Sequence, residues 1–276
     1  GQAREHPLLA EVRANRSLAA RIASQLDLPD VAADVLPGMH APEPISRNLG
    51  EMKAMMRERP FDVGIANAGI HTVGSLLTAP PEQVERTLEV NLMGVWRTDR
   101  ALLPQIVARN GYLLNVASLA AASHQPLMGP YAASKAGVEA LTNCLRVEVS
   151  TTGARVGCAY FGFIDTDLVR ASFDHESSQR VEGLMPAFVR RPAPLGRAID
   201  AIERGIERRA ARTWAPRYVR PVLLMRGLIQ PLGERRAMRS PALPEALRLA
   251  DPANGALEGQ DPILGVAAPT DHRASS

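Results

Sequence analysis

Between residues 62 and 161, apolar runs of strand length alternate with stretches of helical periodicity, which leaves the chain few architectures. Asp62-Val63-Gly64-Ile65-Ala66-Asn67-Ala68-Gly69 is the first run, and a helical stretch from about Pro81 to Arg109 follows it. Gly111-Tyr112-Leu113-Leu114-Asn115-Val116-Ala117-Ser118 is the second run. A helix from Tyr131 to about Thr152 comes next, with Val138, Leu141, Leu145 and Val149 on one face and a stop near Gly153. Arg155 to Phe161 is the third run. Continuous apolar strands separated by helices are the pattern of a mainly parallel sheet buried on both faces, with ligands bound at the carboxyl edge of its strands.

The side chains delivered to that edge carry the chemistry. Tyr131 and Lys135 are four residues apart, which stacks phenol and ammonium one turn apart on a helix. A free phenol titrates near ~10, too high for proton exchange at neutral pH, and a cation one turn away is expected to lower it. Tyr131 then qualifies as a general acid or base. Taken singly, the residues have plainer readings. The pair is a half-buried helix-start tyrosine beside a solvated lysine, Ser118 caps or terminates a strand, and Asn91 is a helix surface residue that bonds a backbone carbonyl. Gly69 likewise suits any tight turn that needs close backbone approach.

In order and spacing, the Asn67-Ala68-Gly69 turn, Asn91, Ser118, Tyr131 and Lys135 resemble the short-chain dehydrogenase/reductase family, from roughly Phe61 to Arg212. The resemblance implies a Rossmann-like, doubly wound α/β fold and NAD(P)-dependent interconversion of an alcohol and a ketone. It implies that Tyr131 exchanges the proton with the substrate oxygen and that Ser118 orients that oxygen. Lys135 would lower the tyrosine pKa and hold the nicotinamide ribose, and Asn91 would position a water that relays protons. Asn67, Ala68 and Gly69 would line the adenosine side of the cofactor site. Gly162-Phe163-Ile164-Asp165-Thr166 resembles the family's P-G-x-x-x-T segment, so Ile164 and Thr166 are expected against the nicotinamide carboxamide, although Phe161 replaces the usual proline. Asp167 to about Leu184 would form a substrate lid.

Residues 1–60 depart from the family. A dinucleotide site needs bare backbone amides at a helix N-terminus, and no T-G-x-x-x-G-x-G pattern precedes Asn67. The part before Asn67 also runs shorter than the roughly eighty residues usual in the family. This segment is expected to be an altered or degraded first βαβ unit. The acidic or basic residue that separates NAD from NADP is not identifiable, so either cofactor is expected. The competing expectation is a non-catalytic homologue that serves as a binding or oligomerisation module.

The remainder fits one α/β core over 61–250 and a disordered tail over 251–276, rich in Gly, Pro, Ala and Asp. At 276 residues and 46% hydrophobic content the chain can bury a full core. Cys144 and Cys158 read as core thiols without metal or redox spacing, and no metal is expected. With no secretory signal and no apolar run of ~18 residues, a cytoplasmic homo-oligomer is expected. Net charge +3 comes with only 4% aromatics and no binding motif, which argues against nucleic acid. Ala198 to Arg212 reads as a basic helix with Ile199, Ile202, Ile206 and Ala210 on one stripe. Arg217 to Leu232 follows as an apolar body broken by arginines. That composition suits peripheral contact with a membrane, but the favoured expectation is a helix over the substrate cleft or against a dimer partner. Leu184, Met185, Phe188, Leu223, Leu224 and Met225 then lean toward a hydrophobic ketone, steroid or lipid alcohol.

Overall fold

The computed structural model describes residues 61–251. Expectations about the first βαβ unit and the C-terminal tail fall outside the described residues. Four strands form one sheet within them: β1 (Val63–Ala66), β2 (Tyr112–Val116), β3 (Arg155–Phe161) and β4 (Arg212–Ala215). They lie in that order and every pair is parallel, with Val63 opposite Tyr112, Tyr112 opposite Arg155, and Cys158 opposite Arg212. Parallel pairing puts all four carboxyl ends on one edge, so Asn67, Ser118 and Gly162 emerge side by side.

Helices cover both faces. On one side lie α1 (Pro81–Leu88), α2 (Gly94–Ala108) and α3 (Gly129–Glu148). There Ala66, Leu113, Val156 and Cys158 meet Val95, Leu102, Ile106 and Val138. On the other side α7 (Leu195–Glu207) presents Ala198, Ala201 and Ile202 to Tyr112, Leu114, Val116, Ala159 and Phe161. Successive residues of β2 thus point to opposite layers and both are buried, as a central strand requires. Gly157 serves the same packing. A side chain there would drive into the Tyr112 hydroxyl, which donates to the Ala210 carbonyl at 2.8 Å.

Two sequence expectations need correction here. The basic helix expected over 198–212 ends at Glu207. Arg209 turns the chain with φ 47°, and Arg212–Ala215 becomes β4. The cause is tertiary. The Arg209 guanidinium donates to the carbonyls of Gly111 at 2.6 Å and Gly153 at 3.2 Å, while the Thr213 hydroxyl caps Ala201 O at 2.8 Å. Cys144 is exposed on α3, so only Cys158 is a core thiol.

The C-terminal half supplies a cover for the carboxyl edge. Short helices α4 (Asp167–Asp174), α5 (Glu176–Glu182) and α6 (Ala187–Arg190) precede α7. After β4 come α8 (Val219–Leu224), α9 (Arg226–Met238) and α10 (Ala242–Leu249). Glu139 on α3 joins these layers, accepting from the Tyr160 hydroxyl at 3.0 Å and from Arg226 at 2.8 Å.

Candidate active site

Asn91 sits in a π-helical segment, Glu89–Met93, inserted between α1 and α2. The wider turn aims a fully buried carboxamide out of the helix. Its oxygen accepts from Ile70 N at 2.7 Å, and its nitrogen donates to Ile70 O at 2.8 Å and Ser134 Oγ at 3.0 Å. The side chain therefore replaces a backbone partner for the loop that leaves β1, and ties that loop to α3.

Pro130 lies in the first turn of α3, where its missing N–H costs nothing, and Tyr131 and Lys135 follow on one face. Lys135 is buried and donates to Val116 O at 3.0 Å, with its ammonium 5.7 Å from the centre of the Tyr131 ring. Burial lowers the lysine to about 8, so it is still a cation at neutral pH. The phenol departs from expectation. Burial raises its pKa, and the opposing contribution comes from its hydrogen bond with Ser118 rather than from Lys135. Ser118 caps the short helical turn Leu119–Ala121, accepting from Ala120 N at 3.1 Å. Its hydroxyl also donates to Phe161 O at 3.4 Å, and Ser118 and Tyr131 both line one cleft at the carboxyl edge.

Asn67, Ala68 and Gly69 form the turn after β1. A Cβ at Gly69 would lie 3.2 Å from Asn91 Oδ1 and 3.3 Å from Lys135 Nζ, so both polar ends converge on this bare backbone. Thr166 is buried and caps α4, accepting from Val169 N at 3.4 Å. Ile164 is committed to the core beside Ala193, which leaves only its backbone for any ligand.

Ser118 and Tyr131 open on a cavity of about 450 Å³. Its walls are mainly apolar: Leu184, Met185, Phe188 and Val189 on one side, and Val222, Ile229 and Leu232 from α8 and α9 on the other. Of the six apolar residues singled out from the sequence, Leu184, Met185 and Phe188 line it. Leu223 is partly buried against the core instead, while Leu224 and Met225 face outward. The segment from Arg217 to Leu232 does fold over the cleft. Sequence reasoning missed His71, which lies edge-on to Tyr131 with ring centres 4.7 Å apart. Burial pushes it down to about 4, and its Nε2 has no partner among the described residues, so it is a neutral wall of the cavity. Its place two residues after Gly69 was the available signal. Among the described residues, no cluster of His, Cys, Asp or Glu is arranged to hold a metal.

A family model described as short chain dehydrogenase matches residues 10–177, more than half of the chain. The chain belongs to the short-chain dehydrogenase family. The match begins well before Phe61, where the motif resemblance fades. Among curated members, an uncharacterized NAD-dependent oxidoreductase of Mycobacterium tuberculosis is 34% identical over 137 residues, 49% of this chain and 49% of that protein. The 3-oxoacyl-(acyl-carrier-protein) reductase of Chlamydia trachomatis is 30% identical over 139 residues, 50% of this chain and 56% of that one. The chain thus spans about half the length of the curated relatives it matches. Two solved members share the fold at lower identity. A short-chain dehydrogenase from Burkholderia cenocepacia in complex with NADP has a TM-score of 0.58 at 24% identity, covering 71% of this chain and 80% of that one. One from Streptomyces avermitilis has a TM-score of 0.57 at 22%, covering 76% and 80%.

Proposed function

We propose that this short-chain dehydrogenase is an NAD(P)-dependent oxidoreductase interconverting an alcohol and a ketone on an apolar small molecule. The observation that carries the reading is the convergence of Ser118 and Tyr131 on one apolar cavity, with the Lys135 cation buried one turn behind. The mycobacterial relative's NAD dependence, the chlamydial relative's 3-oxoacyl substrate and the Burkholderia complex with NADP all agree with it.

The residues present fit a nicotinamide cofactor. Beside Gly69 the backbone is bare, and Lys135 Nζ and Asn91 Oδ1 approach the same point. Of the three protons on Lys135, Val116 O takes one, which leaves donors for ribose hydroxyls. Asn67, Ala68 and Gly69 would flank the cofactor along the carboxyl end of β1, and the backbone of Ile164 with Thr166 would meet its carboxamide. A bound cofactor supplies or accepts the hydride.

The chain supplies the proton and the alignment. Tyr131 Oη gives its proton to the substrate oxygen during reduction and takes one back during oxidation. Ser118 Oγ donates to the same oxygen, so two hydroxyls fix its position and stabilise the charge that develops there. Lys135 is held close to the ring, and a cation there favours the phenolate once it forms. Asn91 keeps Ile70 and α3 in register, and its oxygen, beside Gly69, has a second lone pair for a water that relays protons through Lys135.

Fluorescence titration with NADH and NADPH, followed by turnover assays on apolar ketones and alcohols, tests the reading. Saturable binding of one cofactor is expected, together with turnover that falls by roughly 10² or more in Tyr131→Phe. A protein that binds neither cofactor, or a Tyr131→Phe variant as active as the parent, overturns it.

A further inference from the structure

The inner side of α9 closes the cavity with Ile229, Gln230 and Gly233, but its outer side is unusual for a surface helix. Leu228, Leu232, Arg235 and Arg239 recur at helical spacing on one stripe, and all four are exposed. Leu228 and Leu232 are each 64% exposed, and Leu224 at the end of α8 is 75% exposed. Met225 and Met238 add to the same apolar surface. Between Arg217 and Arg239 there are six arginines and one acid, Glu234, whose carboxylate accepts from Gln230 at 3.0 Å. Arg235, Arg236 and Arg239 have no carboxylate partner among the described residues. Exposed leucines interleaved with unpaired arginines are complementary to a surface with an apolar interior and anionic headgroups.

The position of the patch strengthens this. Leu232 and Arg236 also line the cavity, and so does Phe188, which is 66% exposed. The mouth of the cavity is therefore continuous with the apolar, basic surface. We infer that the outer face of α8 and α9 docks on an anionic phospholipid bilayer, with the mouth of the cavity turned toward it. Leu224, Leu228 and Leu232 enter the headgroup boundary while Arg235 and Arg239 pair with lipid phosphates. No helix among the described residues is long and apolar enough to cross a membrane, so the contact is peripheral. That an apolar substrate passes from the bilayer into the cavity rests on the oxidoreductase reading above; the docking itself does not.

Flotation of the full chain with vesicles tests it. Mixed phosphatidylglycerol and phosphatidylcholine vesicles should carry the protein, and phosphatidylcholine alone should carry much less. Arg235→Gln and Arg239→Gln should each weaken binding about fivefold at low salt. Leu224→Ser and Leu228→Ser should each weaken it about tenfold, and none of the four positions lines the cavity, so turnover and thermal unfolding should hold. Absence of flotation, or variants that float like the parent, overturns the inference. So does a patch occupied by a second copy: a dimer split by the leucine variants in a protein that ignores vesicles. Cofactor titration without vesicles is a separate readout. Flotation without cofactor binding leaves docking standing and removes the oxidoreductase reading, and the reverse result removes docking alone.

Discussion

Asn91 and Lys135 show how much one side chain can hold at this site. Asn91 satisfies both backbone groups of Ile70 and the Ser134 hydroxyl inside a buried environment. Asn91→Ala is expected to cost about 2–4 kcal/mol in urea denaturation, because several buried groups lose partners together. A loss below about 0.5 kcal/mol, the range of ordinary surface changes, would contradict this. Lys135 carries an opposite sign. Burial holds it near 8 in the folded chain against the usual 10.5, so the unfolded chain binds the proton more tightly. Stability therefore rises with pH between those two values, and below about 8 the buried charge costs about 3 kcal/mol. Lys135→Met should lack that rise, and it should be the more stable protein at pH 7 by less than this amount, since Val116 O loses its donor. Denaturation of both proteins at pH 7 and pH 10 checks this, and parallel pH dependences would refute it. Spacing alone singled out Tyr131, Lys135 and Ser118, which the fold brings to one edge of the sheet. A bond from Asn91 to a backbone carbonyl belonged to its plainer reading, but its full burial and its hold on Ile70 N and Ser134 were not readable, because they depend on a π-helical insertion that no residue pattern announces.

At the scale of elements, α2, β2 and α3 are joined through a polar cluster in their common interior. Asn115 on β2 donates to Asp99 Oδ2 at 2.8 Å and shares its nitrogen with Thr142 Oγ1 at 3.0 Å. Asp99 Oδ1 and Asn115 Oδ1 are both buried without a partner among the described residues, and burial raises the Asp99 carboxyl to about 7 from 3.8. A folded-state value above the unfolded one means that the folded chain holds the proton more tightly. Stability falls as pH rises from about 4 to about 7 and the cost persists above that. Asp99→Asn replaces the carboxylate by an amide that can donate as well as accept. The variant is expected to be more stable at pH 8 by about 1–3 kcal/mol and to show less decline between pH 4 and 7. Thermal unfolding across that range decides it, and a destabilised variant at pH 8 would show that the charge is compensated. The long strands and helices of this layer were legible because each spans several periods of its pattern. β4 was not. Its four residues begin with an arginine, and the turn before them is held by Arg209 on carbonyls some hundred and some fifty residues away.

Across the whole molecule, the C-terminal helices are fastened to the core at few points. Gln230 bonds the backbone of His124 in both directions, accepting at 2.8 Å and donating at 3.3 Å, and Arg226 reaches Glu139 at 2.8 Å. Gln230→Ala removes the first pair, each bond worth about 1 kcal/mol, so amides of α9 should exchange roughly tenfold faster or more while those of β2 and β3 are unchanged. Hydrogen exchange measured by mass spectrometry reads both, and an unaltered α9 would show that Arg226 and the apolar contacts hold these helices without Gln230. The sequence by itself determined the layered α/β architecture and the parallel edge to which Ser118, Tyr131 and Lys135 are delivered, because strand and helix periods act over a few neighbouring residues. Tertiary structure alone decided the electrostatics of Tyr131, the wall made by His71 and the two faces of α9. Those depend on which distant surfaces exclude water from a group, and desolvation has no signature in the local order of residues.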